Sequence, residues 1–295
     1  MSHKFHQNFL ATFICLANYL SNMEIDMDWD AAYDNSASVN DRDYYIDRWI
    51  SEASSFRSAM SVANRCELDL AYGPGERNRA DFFFPTAEVK GLVIYIHGGY
   101  WRMLDKTYWS HLAQGINDHG FAFAIPSYTL APEATIPQIT RDVTNAINVL
   151  AQRVAGPVYL VGHSAGGHLV SRMACDDVAL DPSVVQRIRH IMPISGLYDL
   201  EPLTKTKMNE DLKIDAETVQ SESAIYLNPR SGIKLTCVVG GNELSEFLRH
   251  NNMLEVWNEK GASVKTVINQ GFHHFDVIDP LEEADSEMVR MLLQL

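Results

Sequence analysis

The segment that most restricts how this chain can fold is Gly162-His163-Ser164-Ala165-Gly166-Gly167-His168, set directly behind the apolar run Pro157–Val161. The pattern G-x-S-x-G carries meaning between a strand and a helix, and the flanking residues predict both. Turning sharply from strand into helix forces the serine into a strained backbone conformation with its oxygen projecting outward. Gly162 and Gly166 are small because strand and helix crowd that turn. The helix N-terminus then brings N–H groups and a partial positive charge to the serine. Phosphate-loop readings lack their residues, since neither G-x-x-x-x-G-K-[ST] nor G-x-G-x-x-G occurs. Ser164 is the candidate nucleophile.

The rest of the chain supplies a matching scaffold. Apolar, β-branched runs predict strands at Cys66–Tyr72, Gly91–His97, Phe121–Pro126, Pro157–Gly162, His190–Ser195, Ile233–Val239 and Val264–Asn269. Several are almost continuously apolar, as strands are when helices cover both faces of a parallel sheet. Helical patterns cover Asp43–Ala59, Tyr108–His119, Ile139–Val154, Ala165–Asp176, Ser245–Lys260 and Glu282–Leu293. Alternation of the two predicts an α/β fold with a mostly parallel, doubly wound sheet and helices on both faces. The polar, charged interval 196–231 breaks the alternation and is expected to form a small cap or lid above the strand ends. One domain is expected over 23–295, preceded by an extension at 1–22.

Composition narrows the partner. A formal net charge of −14 argues against nucleic acid, which needs a basic face to displace counterions. A small-molecule substrate is expected, with no nucleic acid, no membrane, and a homodimer left open. Cys15, Cys66, Cys175 and Cys237 are widely spaced and form no CxxC pair, so zinc and dithiol readings have little support. A reducing cytoplasm is the simplest compartment. The apolar stretch Phe9–Leu20, preceded by Lys4, faintly resembles an export signal. It is too short to cross a membrane and is interrupted by Asn18, and Met23 would serve as a start. A dispensable extension or misplaced start is the preferred reading.

A serine hydroxyl needs a histidine to take its proton and a carboxylate to orient that histidine. It also needs N–H donors for the oxyanion. His97-Gly98-Gly99-Tyr100-Trp101 closes a strand upstream, where such a segment supplies half of the oxyanion hole. Gly98, Gly99 and the N–H of Ala165 are assigned this role. Downstream, Gly271-Phe272-His273-His274-Phe275-Asp276 follows the last predicted strand, and His274 is the favoured base, with His273 the alternative. Glu243 lies in the loop after Ile233–Val239, where the order Ser, acid, His places the acid. Asp199 and Glu246 remain rivals. His97 and His168 are expected to be structural.

These motifs together resemble the kynurenine formamidases (arylformamidases) within the α/β-hydrolase superfamily. The resemblance rests on H-G-G-x-W at His97–Trp101, G-H-S-A-G-x-H at Gly162–His168 and S-G-x-Y-D-L at Ser195–Leu200. It extends to S-E-F at Ser245–Phe247, H-F at His274–Phe275 and the segment Trp29–Asn35. Esterases of the hormone-sensitive-lipase type carry H-G-G-G where this chain has H-G-G-Y-W. The resemblance implies hydrolysis of N-formyl-L-kynurenine to L-kynurenine and formate by Ser164, Glu243 and His274, with no cofactor and no metal. The family commonly has Asp at the acid position, so Glu243 departs from it by one methylene. Tyr100 and Trp101 are candidates for narrowing the acyl pocket or, equally, for core packing, and Lys205, Lys207 and Arg230 are candidates for meeting the substrate's amino-acid end or plain surface cations. A carboxylesterase for short acyl esters is the alternative, sharing every catalytic part. A third reading, a non-catalytic binding module, sits poorly with a complete set of Ser, acid and His.

Overall fold

The most apolar runs of the sequence lie at the centre of a single eight-stranded sheet. This is a computed structural model, and it describes residues 27–295. The extension at 1–22, with Phe9–Leu20 and Cys15, lies outside the described residues. The strands are β1 (Cys66–Ala71), β2 (Arg79–Phe83), β3 (Leu92–Ile96), β4 (Ala122–Pro126), β5 (Val158–His163), β6 (Ile188–Ile194), β7 (Lys234–Gly240) and β8 (Ser263–Asn269). Their order across the sheet is β1-β2-β4-β3-β5-β6-β7-β8. From β4 to β8 all neighbours are parallel, while β2 runs antiparallel to both β1 and β4.

Every residue of β3, β4 and β5 is buried, because helices cover both faces. Alternate side chains of β3 enter opposite cores. Leu92, Ile94 and Ile96 meet the helices Ile136–Ala151 and Ala165–Met173. Val93 and Tyr95 face the side covered by helices Arg42–Val62, Ala113–Asp118 and Glu287–Leu293. The chain winds outward from β3 in both directions, to β4 on one side and β5 on the other. In a doubly wound sheet this reversal opens a crevice at the carboxyl ends of the strands. Ile96 pairs with Gly162 there, which sets the ends of β3 and β5 side by side.

β2 is absent from the sequence expectation for a physical reason. Arg79-Ala80-Asp81-Phe82-Phe83 carries two charges in five residues, yet Asp81 is 1% exposed. The buried Lys106 ammonium compensates it at 2.7 Å. Helix Ile136–Ala151 begins three residues before its expected start, because Gln138 turns back to accept the N–H of Thr135 at 2.7 Å. Three expected helices are interrupted or shortened. Ser245–Asn251 gives way to a 3-10 segment at Met253–Lys260 beyond Asn252. The last helix starts only at Glu287, where Ser286 caps it. Tyr108–His119 resolves into short 3-10 turns before Ala113–Asp118.

The insertion at 196–231 is a string of short helical turns, the longest Ala216–Glu222. Its buried Glu222 ties it to neighbours, accepting from Thr140 Oγ1 at 2.7 Å and Arg172 Nε at 3.1 Å. Among the described residues no helix is long and apolar enough to cross a membrane.

Candidate active site

At the end of β5 the backbone turns at Ser164 with φ 57° and ψ −118°. A non-glycine residue takes such a conformation only when its surroundings hold it there. The Ser164 N–H donates to Ile194 O on β6 at 2.8 Å, and the Ser164 carbonyl accepts from His168 N at 3.0 Å. The two glycines permit the crossing of helix and strand. A Cβ on Gly166 would lie 1.9 Å from Ile96 O, and one on Gly162 2.3 Å from Gly166 O.

The end of β3 is drawn in just as closely. A Cβ on Gly98 would fall 2.9 Å from His163 O and 3.1 Å from the Ser164 Cβ, so this backbone lies directly against the serine. Gly99 turns the chain at φ 106°, followed by Tyr100 and Trp101 at φ 48° and 57°. Ala165 is the first residue of its helix, so its N–H has no intrahelical acceptor. Gly98, Gly99 and Ala165 thus stand around Ser164.

His274, in the loop beyond β8, lines the same pocket as Ser164. Its Nδ1 lies 2.6 Å from Glu243 Oε2. The carboxylate side chain is wholly buried, and the histidine nearly so. Glu243 Oε1 accepts from Gly240 N at 2.8 Å and from Ser195 Oγ at 2.5 Å. The imidazole is flanked by the rings of Phe247 and His163, each with its centroid 4.6 Å away. Burial holds the His163 pKa well below the ordinary histidine range, and the neighbouring His274 lowers it further, so His163 is neutral. Burial likewise pushes His97 down to about 4 and His168 to about 3. His97 stacks on Tyr128 and His168 bonds Glu222 O at 2.8 Å, as structural histidines do.

The rivals are engaged elsewhere. Asp199 accepts from Glu201 N and Tyr226 Oη. Glu246 is clamped by Arg249 at 2.7 Å and by the Tyr33 hydroxyl at 3.0 Å. His273 sits 3.0 Å from Tyr45 Oη and caps Phe275 N.

The pocket holds about 300 Å³. Tyr100 lines it, its hydroxyl donating to Tyr33 O at 2.5 Å. Trp101 does not. Its ring is fully buried in the core, edge-on to His168 at 5.1 Å, which corrects the expectation that it would face an acyl group. The backbone carries successive positive φ angles at residues 99–101. The outer wall comes from a part of the chain given no role at the sequence level: Asn35, Ser36, Arg42, Ile46 and Trp49. No lining residue falls within 196–231. Lys205 lies over the Trp29 ring, Lys207 pairs with Asp30, and Arg230 binds the carbonyls of Met173 and Val178, all away from the pocket.

Among the described residues Glu52, His111 and Glu282 bring metal-ligand types within 4.8 Å of one another, but none of them lines this pocket.

A family model for the alpha/beta hydrolase fold matches residues 93–245. The chain is 30% identical to a kynurenine formamidase of Salmo salar over 77% of its own length and 81% of the relative's. It is 28% identical to a kynurenine formamidase of Danio rerio with the same coverage. A crystal structure from Silicibacter sp. tm1040, described as a candidate thioesterase, is 41% identical at a TM-score of 0.86. That match covers 90% of this chain and 99% of the other.

Proposed function

Because the chain belongs to the α/β-hydrolase fold family, as a kynurenine formamidase-like member and a hydrolase, we propose that it hydrolyses N-formyl-L-kynurenine to L-kynurenine and formate. The observation that carries this reading is the meeting of Ser164, the Glu243–His274 pair and the Gly98 backbone on one pocket at the sheet's switch point. His274 takes the Ser164 proton as Oγ attacks the formyl carbon. The N–H groups of Gly98, Gly99 and Ala165 receive the oxyanion. His274 then gives its proton to the departing aryl nitrogen, leaving a formyl ester on Ser164. Water, deprotonated by the same imidazole, releases formate and restores the serine. Glu243 keeps Nδ1 protonated, so that Nε2 faces the chemistry.

The pocket suits such a substrate. Trp49, Trp109 and Phe275 offer flat apolar walls to an aryl group, and the small volume favours a small acyl group. An aryl formamide is also activated, since its nitrogen lone pair is shared with the ring. Arg42 on the outer wall, beside Asn35 and Ser36, provides the cation for a carboxylate tail. The free thiols of Cys66, Cys175 and Cys237 fit a reducing cytoplasm.

A second reading, cleavage of short acyl esters or thioesters, draws on the 41% identical Silicibacter structure. Values of kcat/KM on N-formylkynurenine and on 4-nitrophenyl acetate discriminate the two. The formamide is expected to win, and an ester preference of orders of magnitude would refute the formamidase reading.

A further inference from the structure

We infer that Ser195 is a positioning residue for the proton relay, holding one oxygen of Glu243 so that the other is aimed at His274. This rests on the reading of Glu243 as the orienting acid.

Ser195 stands immediately after β6, first in the S-G-x-Y-D-L segment that the reaction leaves without a task. It is 1% exposed and takes a left-handed backbone at φ 50°. Its N–H donates to Val238 O on β7 at 2.7 Å, which pins the residue between two strands. The next residue is fixed as well. A Cβ on Gly196 would lie 2.7 Å from Tyr198 Oη, and one on Gly167 of the elbow helix would lie 2.8 Å from Gly196 Cα. The hydroxyl therefore has a set direction, toward Glu243 Oε1 at 2.5 Å.

Each carboxylate oxygen thus has one task. Oε1 takes the Ser195 hydroxyl and the Gly240 N–H, and Oε2 meets His274 Nδ1. A glutamate arm has one more rotatable bond than an aspartate arm, so it needs a second fixed point to hold its plane. Ser195 supplies it. The hydroxyl also draws charge from the carboxylate, and without it more negative charge would face the imidazole. The other titratable groups facing the pair are His163, Tyr100 and Tyr198, all kept neutral by burial. Removal of the hydroxyl should therefore strengthen the pull of the carboxylate on the imidazole ring.

The test compares Ser195→Ala, Ser195→Gly and Glu243→Gln on 4-nitrophenyl acetate across pH. Glycine accepts the positive φ, so Ser195→Gly isolates the hydroxyl should the alanine variant fail to fold. Both Ser195 variants should lose about ten- to a hundredfold in kcat at unchanged KM, the range for a hydrogen bond to a charged group. The acid limb of the rate profile should move to higher pH. Wild-type kcat and profile in Ser195→Gly, beside a collapse in Glu243→Gln, would overturn the inference alone. A loss in kcat with the acid limb in place would also overturn it, as a structural effect. Wild-type turnover in Glu243→Gln would instead bring down the reading of Glu243 itself.

Discussion

Ser164 can occupy its turn only because the residues around it have no side chain to place. Gly98 lies so near that a methyl group would meet both His163 O and the Ser164 Cβ. At Gly166 a methyl would strike the Ile96 carbonyl, a backbone atom that cannot yield. These two positions predict different failures. Gly98→Ala should fold, since its closest approach is 2.9 Å to His163 O against 1.9 Å at Gly166, but it should displace an oxyanion donor and cost about 10²–10³ in kcat. Circular dichroism and steady-state kinetics on the same preparation check both halves; unaltered kcat would remove Gly98 from the hole. That Ser164 and the histidine loop should meet on one pocket was readable because motif and chain order fix them locally. Ser195 was not, since its contact with Glu243 spans 48 positions and depends on how β6 and β7 pair. The choice between pocket and core for Trp101 was not readable, because adjacency to Gly98 and Gly99 says nothing about side-chain direction once φ turns positive.

Among the elements, β2 shows where hydrophobic patterning stops being informative. Asp81 reads as a surface residue, yet its carboxylate is buried and bound by the equally buried Lys106 and by Asp69 N at 2.9 Å. Lys106 comes from a 3-10 turn 25 residues later, so the local sequence holds no sign of the compensation. Lys106→Met should strand that charge and cost about 3–5 kcal/mol in urea unfolding, whereas the double variant with Asp81→Asn should recover most of the loss. A single variant within 0.5 kcal/mol of wild type would show the pair to be dispensable. The central strands were legible for the opposite reason. Burial on both faces leaves β3, β4 and β5 almost purely apolar, and that survives any detail of packing. Helix ends were less so, because a cap such as Thr135–Gln138 competes with the apolar period.

On the scale of the whole molecule, the helix Arg42–Val62 joins the pocket wall to the rest of the fold, and its charges set a pH response. Arg48 binds Asp279 at 2.6 Å. Burial nonetheless pushes Asp279 up to about 6, outweighing Arg48, and raises Glu282 to about 7, with Glu52 and Asp279 adding repulsion. A carboxyl whose folded pKa exceeds its unfolded value binds more protons when folded, so stability falls as pH rises through that window. Between pH 5 and about 7.5 the melting temperature should therefore decline in part through this cluster, and Glu282→Gln should flatten the decline. An unchanged slope in the variant would assign the pH response to other groups. The doubly wound fold was legible from the chain, but which segment walls the pocket was not. That wall is built by residues 35–49, far in sequence from the serine, acid and histidine segments.

The central claim is that Ser164 is the nucleophile of a hydrolase. Reaction of the folded protein with a fluorophosphonate probe, followed by peptide mass spectrometry, tests it most directly. The account predicts one covalent adduct, on the peptide carrying Ser164, and none on Ser164→Ala. A folded protein left unlabelled, or an adduct on another side chain, would contradict it.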